Sequence, residues 1–212
     1  MSQIDSYAEL VSRVRQWLGG NSTEGFTTAI ETSIELAESD MNTGFLEMNG
    51  SSANRGLRVP EMVKRVSFLS DEKYEVLPSD FLEAKAVYLL DSAGVERPLG
   101  RVLEDRAGQV DRCTYPPTYY CITGLQLRIL PRPAEEVYAR MIYYAVVPPL
   151  ATATTCTPIL KRYPNIYLYG TLAHMEGWLH NDPRIPQWKT LFHSGIKGAN
   201  MAAARRGGSL AA

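Results

Sequence analysis

The chain has 212 residues, of which 45% are hydrophobic and 21% are charged, and its formal net charge is -1. These are ordinary values for a globular protein, and they exclude a chain that is disordered by composition. A net charge so close to zero also gives no general attraction to nucleic acid or to an anionic membrane surface.

Charge is nevertheless divided unevenly along the chain. Residues 1–50 carry eight acidic side chains against Arg13 and Arg15, whereas residues 183–212 carry five basic side chains and no acidic one. A chain that is acidic at one end and basic at the other is suited to directional docking. The solvated helix faces of a monomer would give the same pattern.

The cysteines and the start of the chain indicate the compartment. Cys113, Cys121 and Cys156 include no CxxC pair, which argues against a disulfide framework or a structural zinc site. The first residues show no basic segment followed by an apolar core, and no apolar run approaches the ~18 residues that span a bilayer. We therefore expect a protein made in a reducing cytoplasm, with no signal peptide and no membrane span.

Two amphipathic helices are predicted within residues 1–50. In "IDSYAELVSRVRQWLGG" the apolar residues follow three–four spacing, Asp5 or Ser6 can cap the start, and the glycine pair can end the helix. A second helix is predicted from about Thr27 to Phe45. Its apolar face comprises Ile30, Ile34, Ala37, Met41 and Phe45. The following "EMNGSSANRG" predicts a loop.

Residues 57–150 have the character of β-structure. Short β-branched or aromatic runs alternate with turn signals, namely "KRVSFL", "YEVL", "AKAVYLL", "VERPLGRV", "YYCIT", "LQLRIL" and "VYARMIYYAVV". "YYCITGLQLRIL" predicts a hairpin around Thr123 and Gly124. The run at 137–147 is predicted to be the next antiparallel neighbour of that hairpin. Together these runs predict a small antiparallel sheet.

The last part of the chain returns to helical patterns. One helix is predicted from about Tyr163 to His180, then a cap at Asp182, and a final helix from Pro183 to about Arg206. The predicted fold is α+β and mainly α. Residues 1–50 and 160–206 form a helical bundle, 57–150 form an inserted small antiparallel β-region, and 207–212 form a flexible tail.

The stretch "KRYPNIYLYGTLAHMEGWLHNDPRIP" at 161–186 at first suggests a metal or acid–base site, because His174, Glu176 and His180 lie close in sequence. Since each helical residue advances by ~100°, these three side chains point in different directions and cannot meet one metal ion. The HExxH spacing of zinc hydrolases is absent, as are the Walker, GxGxxG and GxSxG patterns. The sequence therefore predicts no catalytic, cofactor or metal residues.

The same stretch predicts a helix that is apolar on several sides. Gly170, Ala173 and Gly177 form a narrow edge that a second helix could approach closely, either in the chain's own core or in a neighbouring subunit. We predict that a set of residues here and at the C-terminus serves packing or inter-subunit contact: Tyr167, Tyr169, Gly170, Gly177, Trp178, Arg205 and Arg206.

Five stretches resemble one family, the phage head-to-tail adaptor (connector, or tail accessory) proteins that dock beneath the portal. They are "YAELVSRVRQWL" at 7–18, "YEVLPSDFLEAKAVYL" at 74–89, "PTYYCITGLQLRILPRP" at 117–133, "IYYAVVPPL" at 142–150 and "RYPNIYLYGTLAHMEGWLHND" at 162–182. The most distinctive part is the "LPSDFLE" turn followed later by the "YPNIYLYG" helix start.

The resemblance implies a structural virion protein without catalytic turnover. Such a protein forms a ring, usually of twelve copies, in the virion neck between portal and tail. Its implied partners are the portal protein, tail or nozzle proteins, further copies of itself, and genomic DNA that passes without sequence-specific binding. No cofactor and no membrane are implied, and assembly takes place in the host cytoplasm.

Two alternatives of other kinds remain open at the level of sequence. One is a virion-associated enzyme that cleaves peptidoglycan, with Glu83 or Glu176 as the acid. The other is a different neck or tail component, such as a stopper or tail-completion protein. These are usually shorter and richer in β-structure.

Overall fold

The computed structural model describes residues 4–20, 24–46, 53–70, 74–90, 94–112, 116–133, 135–152 and 156–206. The helices in chain order are α1 (Tyr7–Trp17), α2 (Glu24–Thr43), α3 (Glu104–Val110), α4 (Pro158–Arg162), α5 (Pro164–His174), α6 (Glu176–Leu179) and α7 (Ile185–Arg206). The strands are β1 (Phe45–Leu46), β2 (Ala53–Asn54), β3 (Val63–Ser70), β4 (Glu75–Val76), β5 (Phe81–Leu90), β6 (Glu96–Pro98), β7 (Gly100–Arg101), β8 (Tyr119–Thr123), β9 (Gln126–Leu130) and β10 (Val137–Ala145). The predicted α+β class is confirmed, while the bundle arrangement of the helices stays a prediction.

The chain divides into two compact units. The first, which we call the helical unit, is made of Met1–Met62 together with Val147–Ala212. The second, the β-unit, is the continuous segment Val63–Val146 between them. The helical unit is therefore assembled from two separate pieces of sequence.

The first two helices form where the apolar spacing predicts them. The side chain of Ser6 caps α1 by accepting a hydrogen bond from the Glu9 N–H at 3.2 Å. Helix α2 begins earlier than predicted, at Glu24, and ends at Thr43. The predicted face of α2 is buried at Ile30, Ile34, Ala37 and Met41. Its fifth predicted member, Phe45, belongs to β1 instead.

The predicted loop after α2 is partly wrong. Phe45 and Leu46, just before the predicted loop, pair in antiparallel register with Asn54 and Ala53, which lie within it, so part of the predicted loop is a short strand. Leu57 then donates its backbone N–H to the Met41 carbonyl at 2.7 Å, which ties the returning chain to the end of α2. The intervening residues 47–52 lie outside the described part of the chain.

The single helix predicted from Tyr163 to His180 is wrong, because the chain forms α5 and α6 with a break at Met175. The Met175 N–H bonds to the Leu172 carbonyl three residues back, at 3.3 Å, and this tighter bond interrupts the α-helical pattern. His180 then takes a left-handed conformation with φ of 34°, which ends α6. The final helix begins at Ile185, two residues after the predicted Pro183.

Helix α5 is the centre of the helical unit. It contacts α1, α2, α4, α6 and α7, and most of its residues are buried: Ile166, Tyr167, Leu168, Gly170, Thr171, Leu172 and Ala173. A helix that is apolar almost all round must be enclosed on several sides. The sequence-based interpretation of a helix pressed from several directions agrees with these contacts.

The described residues of the β-unit form two four-stranded sheets rather than one small sheet. The first has the order β3-β10-β5-β6 and is antiparallel. The second has the order β4-β9-β8-β7, with a parallel β7–β8 pair at one end. Both sheets contribute to one apolar core, which comprises Leu77, Val87, Leu89, Leu99, Tyr120, Leu127, Ile129, Ala139, Met141, Tyr143 and Ala145.

Pairing in the β-unit follows the prediction at the hairpin and departs from it at β10. Strands β8 and β9 pair antiparallel around Thr123 and Gly124, as predicted, with Gly124 at φ of 60°. Strand β10 is not their neighbour, because it lies between β3 and β5 in the other sheet. This position buries its alternate residues Ala139, Met141 and Tyr143 in the core shared by both sheets.

Helix α3 was not predicted. Its seven residues, Glu104–Val110, begin with Glu104 and Asp105 in the first turn, where acidic side chains complement the helix dipole. Ala107 packs in a small cluster with Cys121 of β8 and Leu130 of β9. The segment is too short for a periodic apolar pattern, so the acidic start was its main signal in sequence.

Candidate functional site

The three side chains that first suggested a site, those of His174, Glu176 and His180, lie in different surroundings. His174 Nε2 lies 3.1 Å from Asp40 Oδ2 of α2. Glu176 Oε2 pairs with Lys189 Nζ of α7 at 2.6 Å. His180 is exposed at the end of α6. The contacts of His174 and Glu176 join elements of the helical unit, and the three side chains do not converge on one point.

No group of three or more His, Cys, Asp and Glu side chains able to hold a metal ion is present among the described residues. The hydrogen bond from Lys189 holds the pKa of Glu176 below its ordinary value. A general acid needs the opposite shift, because it must keep its proton near neutral pH. Glu176 therefore lacks the electrostatic surroundings of a catalytic acid.

Within the chain, another helix approaches closely at one of the two glycines of the predicted narrow edge. A Cβ on Gly170 would lie 2.8 Å from the Phe192 ring and 2.9 Å from the Ala37 Cβ, so α7 and α2 both reach the backbone of α5 there. Gly177 lies in α6, is exposed, and a Cβ there would meet nothing within 4 Å. The close approach inferred from Gly170 therefore takes place inside the chain.

A buried carboxyl group lies beside α5. Glu38 of α2 is 6% exposed, and its Oε1 accepts the Leu150 N–H at 2.8 Å. Burial raises the pKa of Glu38 to about 7, although the Leu150 hydrogen bond works against the shift. Burial and the nearby Glu38 carboxyl in turn raise the pKa of the fully buried Tyr167. Tyr167 is thus an interior residue of the helical unit.

Aromatic residues predicted as contacts lie at the surface of the helical unit. Tyr169 is partly buried and makes an edge-to-face contact with Trp17, with ring centroids 6.0 Å apart. Trp178 is 40% exposed and contacts Phe26 at 5.6 Å between centroids. Tryptophan and tyrosine rings that remain partly exposed are typical anchors of protein interfaces. Their role between subunits stays a prediction.

The outward faces of α2 and α7 carry opposite charge. Glu31 and Glu35 are exposed on α2, and Lys197, Arg205 and Arg206 are exposed on α7. Large apolar side chains accompany both groups, which the sequence analysis missed. They are Leu36 on α2, at 46% exposed, and Leu191 and Met201 on α7, at 38% and 60%. Their signal in sequence is an apolar residue on the polar side of an amphipathic helix.

The β-unit exposes apolar side chains at the β8–β9 turn, which the sequence analysis also missed. Leu125 in this turn is 72% exposed, and Val76 of the adjoining β4 is 81% exposed. The two lie at the same end of the sheet, because the Leu77 N–H donates to the Leu125 carbonyl at 3.0 Å. The sequence signal for this exposed patch was an apolar residue, Leu125, directly after the glycine of the turn.

The "LPSDF" segment, which contains Ser79 and Asp80, is a structural turn. The Phe81 N–H donates to the Pro78 carbonyl at 2.9 Å. Asp80 accepts hydrogen bonds from Lys64 Nζ at 2.5 Å and from the Tyr143 hydroxyl at 3.0 Å. The bond from Lys64 lowers the pKa of Asp80, and burial together with Asp80 raises the pKa of Tyr143 to about 12.

None of the described helices is long and apolar enough to cross a membrane.

Comparison with known proteins gives the family. A search of curated proteins finds no significant match to the chain. A family model described as SU10 adaptor protein matches residues 5–212, which is nearly the whole chain. The chain belongs to this SU10 adaptor family, a phage head-to-tail adaptor family.

Proposed function

We propose that the chain is a structural protein of the virion neck that forms a ring between portal and tail. The ring, of about twelve copies, extends the DNA channel and gives tail proteins a platform. The observation that carries this proposal is the family match over residues 5–212. Its partners are then the portal, tail components and further copies of itself, and DNA passes through without sequence-specific contacts.

The helical unit suits such a role because its surface offers different chemistry on different helices. A closed ring needs two unlike patches on each subunit that meet each other around the ring. Acidic α2, basic α7 and the exposed aromatic residues Trp17 and Trp178 supply unlike patches. We propose that α1, α2, α5 and α7 act as a helical bundle that carries these contacts.

Purified portal rings mixed with the chain test this proposal. We expect a stable complex with a fixed number of adaptor copies per portal, measured by native mass spectrometry, and an added layer of density beneath the portal by cryo-electron microscopy. Absence of binding to portal rings, or absence of the protein from purified virions, would contradict it.

We also propose that the chain works without catalytic turnover. The surroundings of Glu176 support this, since its pKa is lowered by Lys189. Incubation with a cell-wall suspension should leave the turbidity unchanged. A fall in turbidity that Glu176→Gln or Glu83→Gln abolishes would identify a peptidoglycan-cleaving enzyme instead.

A further inference from the structure

The two longest helices of the helical unit each carry charge of one sign only. Helix α2, Glu24–Thr43, contains five acidic residues and no lysine or arginine. Helix α7, Ile185–Arg206, contains two lysines and two arginines and no acidic residue. A solvated helix usually mixes both signs, because oppositely charged neighbours four residues apart stabilise it.

Contacts within the chain concentrate the negative charge of α2 on its outward face. Glu38 is buried with a raised pKa, and Asp40 lies 3.1 Å from His174. Glu31 and Glu35 remain exposed, one helical turn apart, with the exposed Leu36 beside them. The outward face of α2 is therefore an acidic stripe with an apolar side chain at its edge.

Helix α7 has the complementary arrangement. Lys189 near its start pairs with Glu176, and Arg184 just before it pairs with Asp182 at 2.7 Å. Further along, Lys197, Met201 and Arg205 are exposed at four-residue spacing, so they form one row along the outward face. This face is therefore a basic stripe with an exposed methionine between its charges.

We propose that the outward face of α2 in one copy docks against the outward face of α7 in the next copy of this chain. The inference rests on the proposed ring, and it names the two faces that meet. The acidic side chains Glu31 and Glu35 would lie against Lys197 and Arg205, and Leu36 would pack near Met201. The contact is heterologous, so it continues from copy to copy until a ring closes.

A second copy is the occupant that the charges favour, because the complementary face is present on the same chain. Pairing α2 with α2, or α7 with α7, would place like charges together, so a two-fold symmetric dimer through either helix is disfavoured. The apolar side chains on both stripes supply contact area that charge pairs alone lack. The charges then set the direction of assembly, and the apolar groups lengthen the lifetime of the contact.

Charge reversal tests the pairing directly. Variant one carries Glu31→Lys and Glu35→Lys, and variant two carries Lys197→Glu and Arg205→Glu. Each alone should self-associate at least tenfold more weakly than the unchanged chain, measured by mass photometry at low salt and on portal rings. A mixture of the two should regain assembly with alternating subunits, and a chain with all four changes should regain it alone.

Control variants place the same charge changes on the β-unit. Arg97→Glu with Arg101→Glu, and Glu104→Lys with Asp105→Lys, alter exposed residues that belong to neither stripe and should assemble like the unchanged chain. Melting temperatures of all monomers check that folding is intact. Glu31 also accepts a hydrogen bond from Tyr7, so Glu35→Lys alone provides a second acidic-face variant.

The outcomes separate this inference from the proposed function. If the unchanged chain neither self-associates nor binds portal rings, the proposed ring is wrong. If the unchanged chain assembles and the reversed variants assemble equally well, the ring stands and the α2–α7 pairing is wrong. The pairing is also wrong if both reversals block assembly but neither the mixture nor the fourfold variant restores it. It is equally wrong if only the α7 reversal matters, because α7 then meets a different partner.

Discussion

At Gly170 a single missing methyl group allows three helices to meet. Phe192 of α7 and Ala37 of α2 both lie within 3 Å of where its Cβ would be. The glycine sits inside α5, where alanine would otherwise favour the helix by about 1 kcal/mol. Its presence is therefore explained by packing inside the helical unit, with no need for a neighbouring subunit.

We predict that Gly170→Ala destabilises the protein by about 1–3 kcal/mol, because overpacking a tight core outweighs the gain in helix propensity. Chemical denaturation followed by circular dichroism measures the change. Gly198→Ala in α7 is the matched control, since a Cβ there meets nothing within 4 Å, and it should leave stability unchanged or raise it slightly. If both substitutions changed the free energy of unfolding equally, the close approach of helices at Gly170 would not limit the stability of the protein.

Glu38 gives the stability a specific pH dependence. Its pKa rises from an ordinary 4.5 to about 7 in the folded chain, so the folded state holds a proton that the unfolded state releases between these values. Stability therefore falls as pH rises from about 4.5 to about 7. Glu35 on the same helix, Tyr7 of α1 and Tyr167 of α5 are the titratable groups that interact with this carboxyl.

We predict that Glu38→Gln stabilises the protein by about 1–3 kcal/mol at pH 8, because the amide avoids burying a charge and its oxygen can still accept the Leu150 N–H. At pH 4 the difference should be much smaller, since the carboxyl is then mostly protonated in both states. Urea denaturation of both chains across this range measures it. Glu104→Gln, at an exposed position of the β-unit, serves as the control, and a pH-independent difference for Glu38→Gln would refute the account.

At the scale of elements, helix ends are decided by capping. Ser6 caps α1 through a 3.2 Å bond from the Glu9 N–H, and the Asp5 N–H bonds to the Glu9 carboxylate at 2.7 Å. This reciprocal pattern satisfies two donors at the helix start. We predict that Ser6→Ala lowers stability by about 1 kcal/mol.

The loss for Ser6→Ala corresponds to a fall in melting temperature of about 2–4 °C for a chain of this size, which calorimetry resolves. Ser12→Ala on the exposed side of α1 is the matched control. It removes the same hydroxyl from mid-helix and should be neutral or stabilising, because alanine is the better helix former. If Ser6→Ala lowered the melting temperature no more than Ser12→Ala, the hydrogen bond of the cap would contribute no net stability, because water would satisfy the Glu9 N–H equally well.

Elements with strong local patterns were predictable from sequence, and their partners were not. Apolar spacing located α1 and α2, and turn chemistry at Gly124 fixed the β8–β9 hairpin. Strand β10 was assigned to the wrong neighbours, because its pairing with β3 and β5 joins residues far apart in sequence. The break at Met175 was also invisible, since no proline or glycine marks it. The charges of α2 and α7 could be read from the sequence, but only the structure shows which of these side chains are exposed.

At the scale of the molecule, the helical unit is built from the two ends of the chain. Helices α1 and α2 come from the first end, whereas α5 and α7 come from the last. Asn200 of α7 links the two pieces, because its side chain accepts the Arg58 N–H at 2.7 Å and donates to the Gly56 carbonyl at 3.0 Å. Deleting residues 199–212 would remove Asn200 and its two hydrogen bonds. We therefore expect this deletion to disturb the helical unit itself as well as any contact of α7 with another subunit.

This interrupted order has a consequence for synthesis on the ribosome. Helix α2 emerges early, but α5, which covers its apolar face, emerges only after the whole β-unit. At about 5–20 residues per second this delay is on the order of ten seconds. During that time Ile30, Ile34 and Met41 have no α5 to cover them, while the β-unit can already fold. We therefore expect the β-unit to fold before the helical unit is complete, with the apolar face of α2 uncovered by α5 in the meantime.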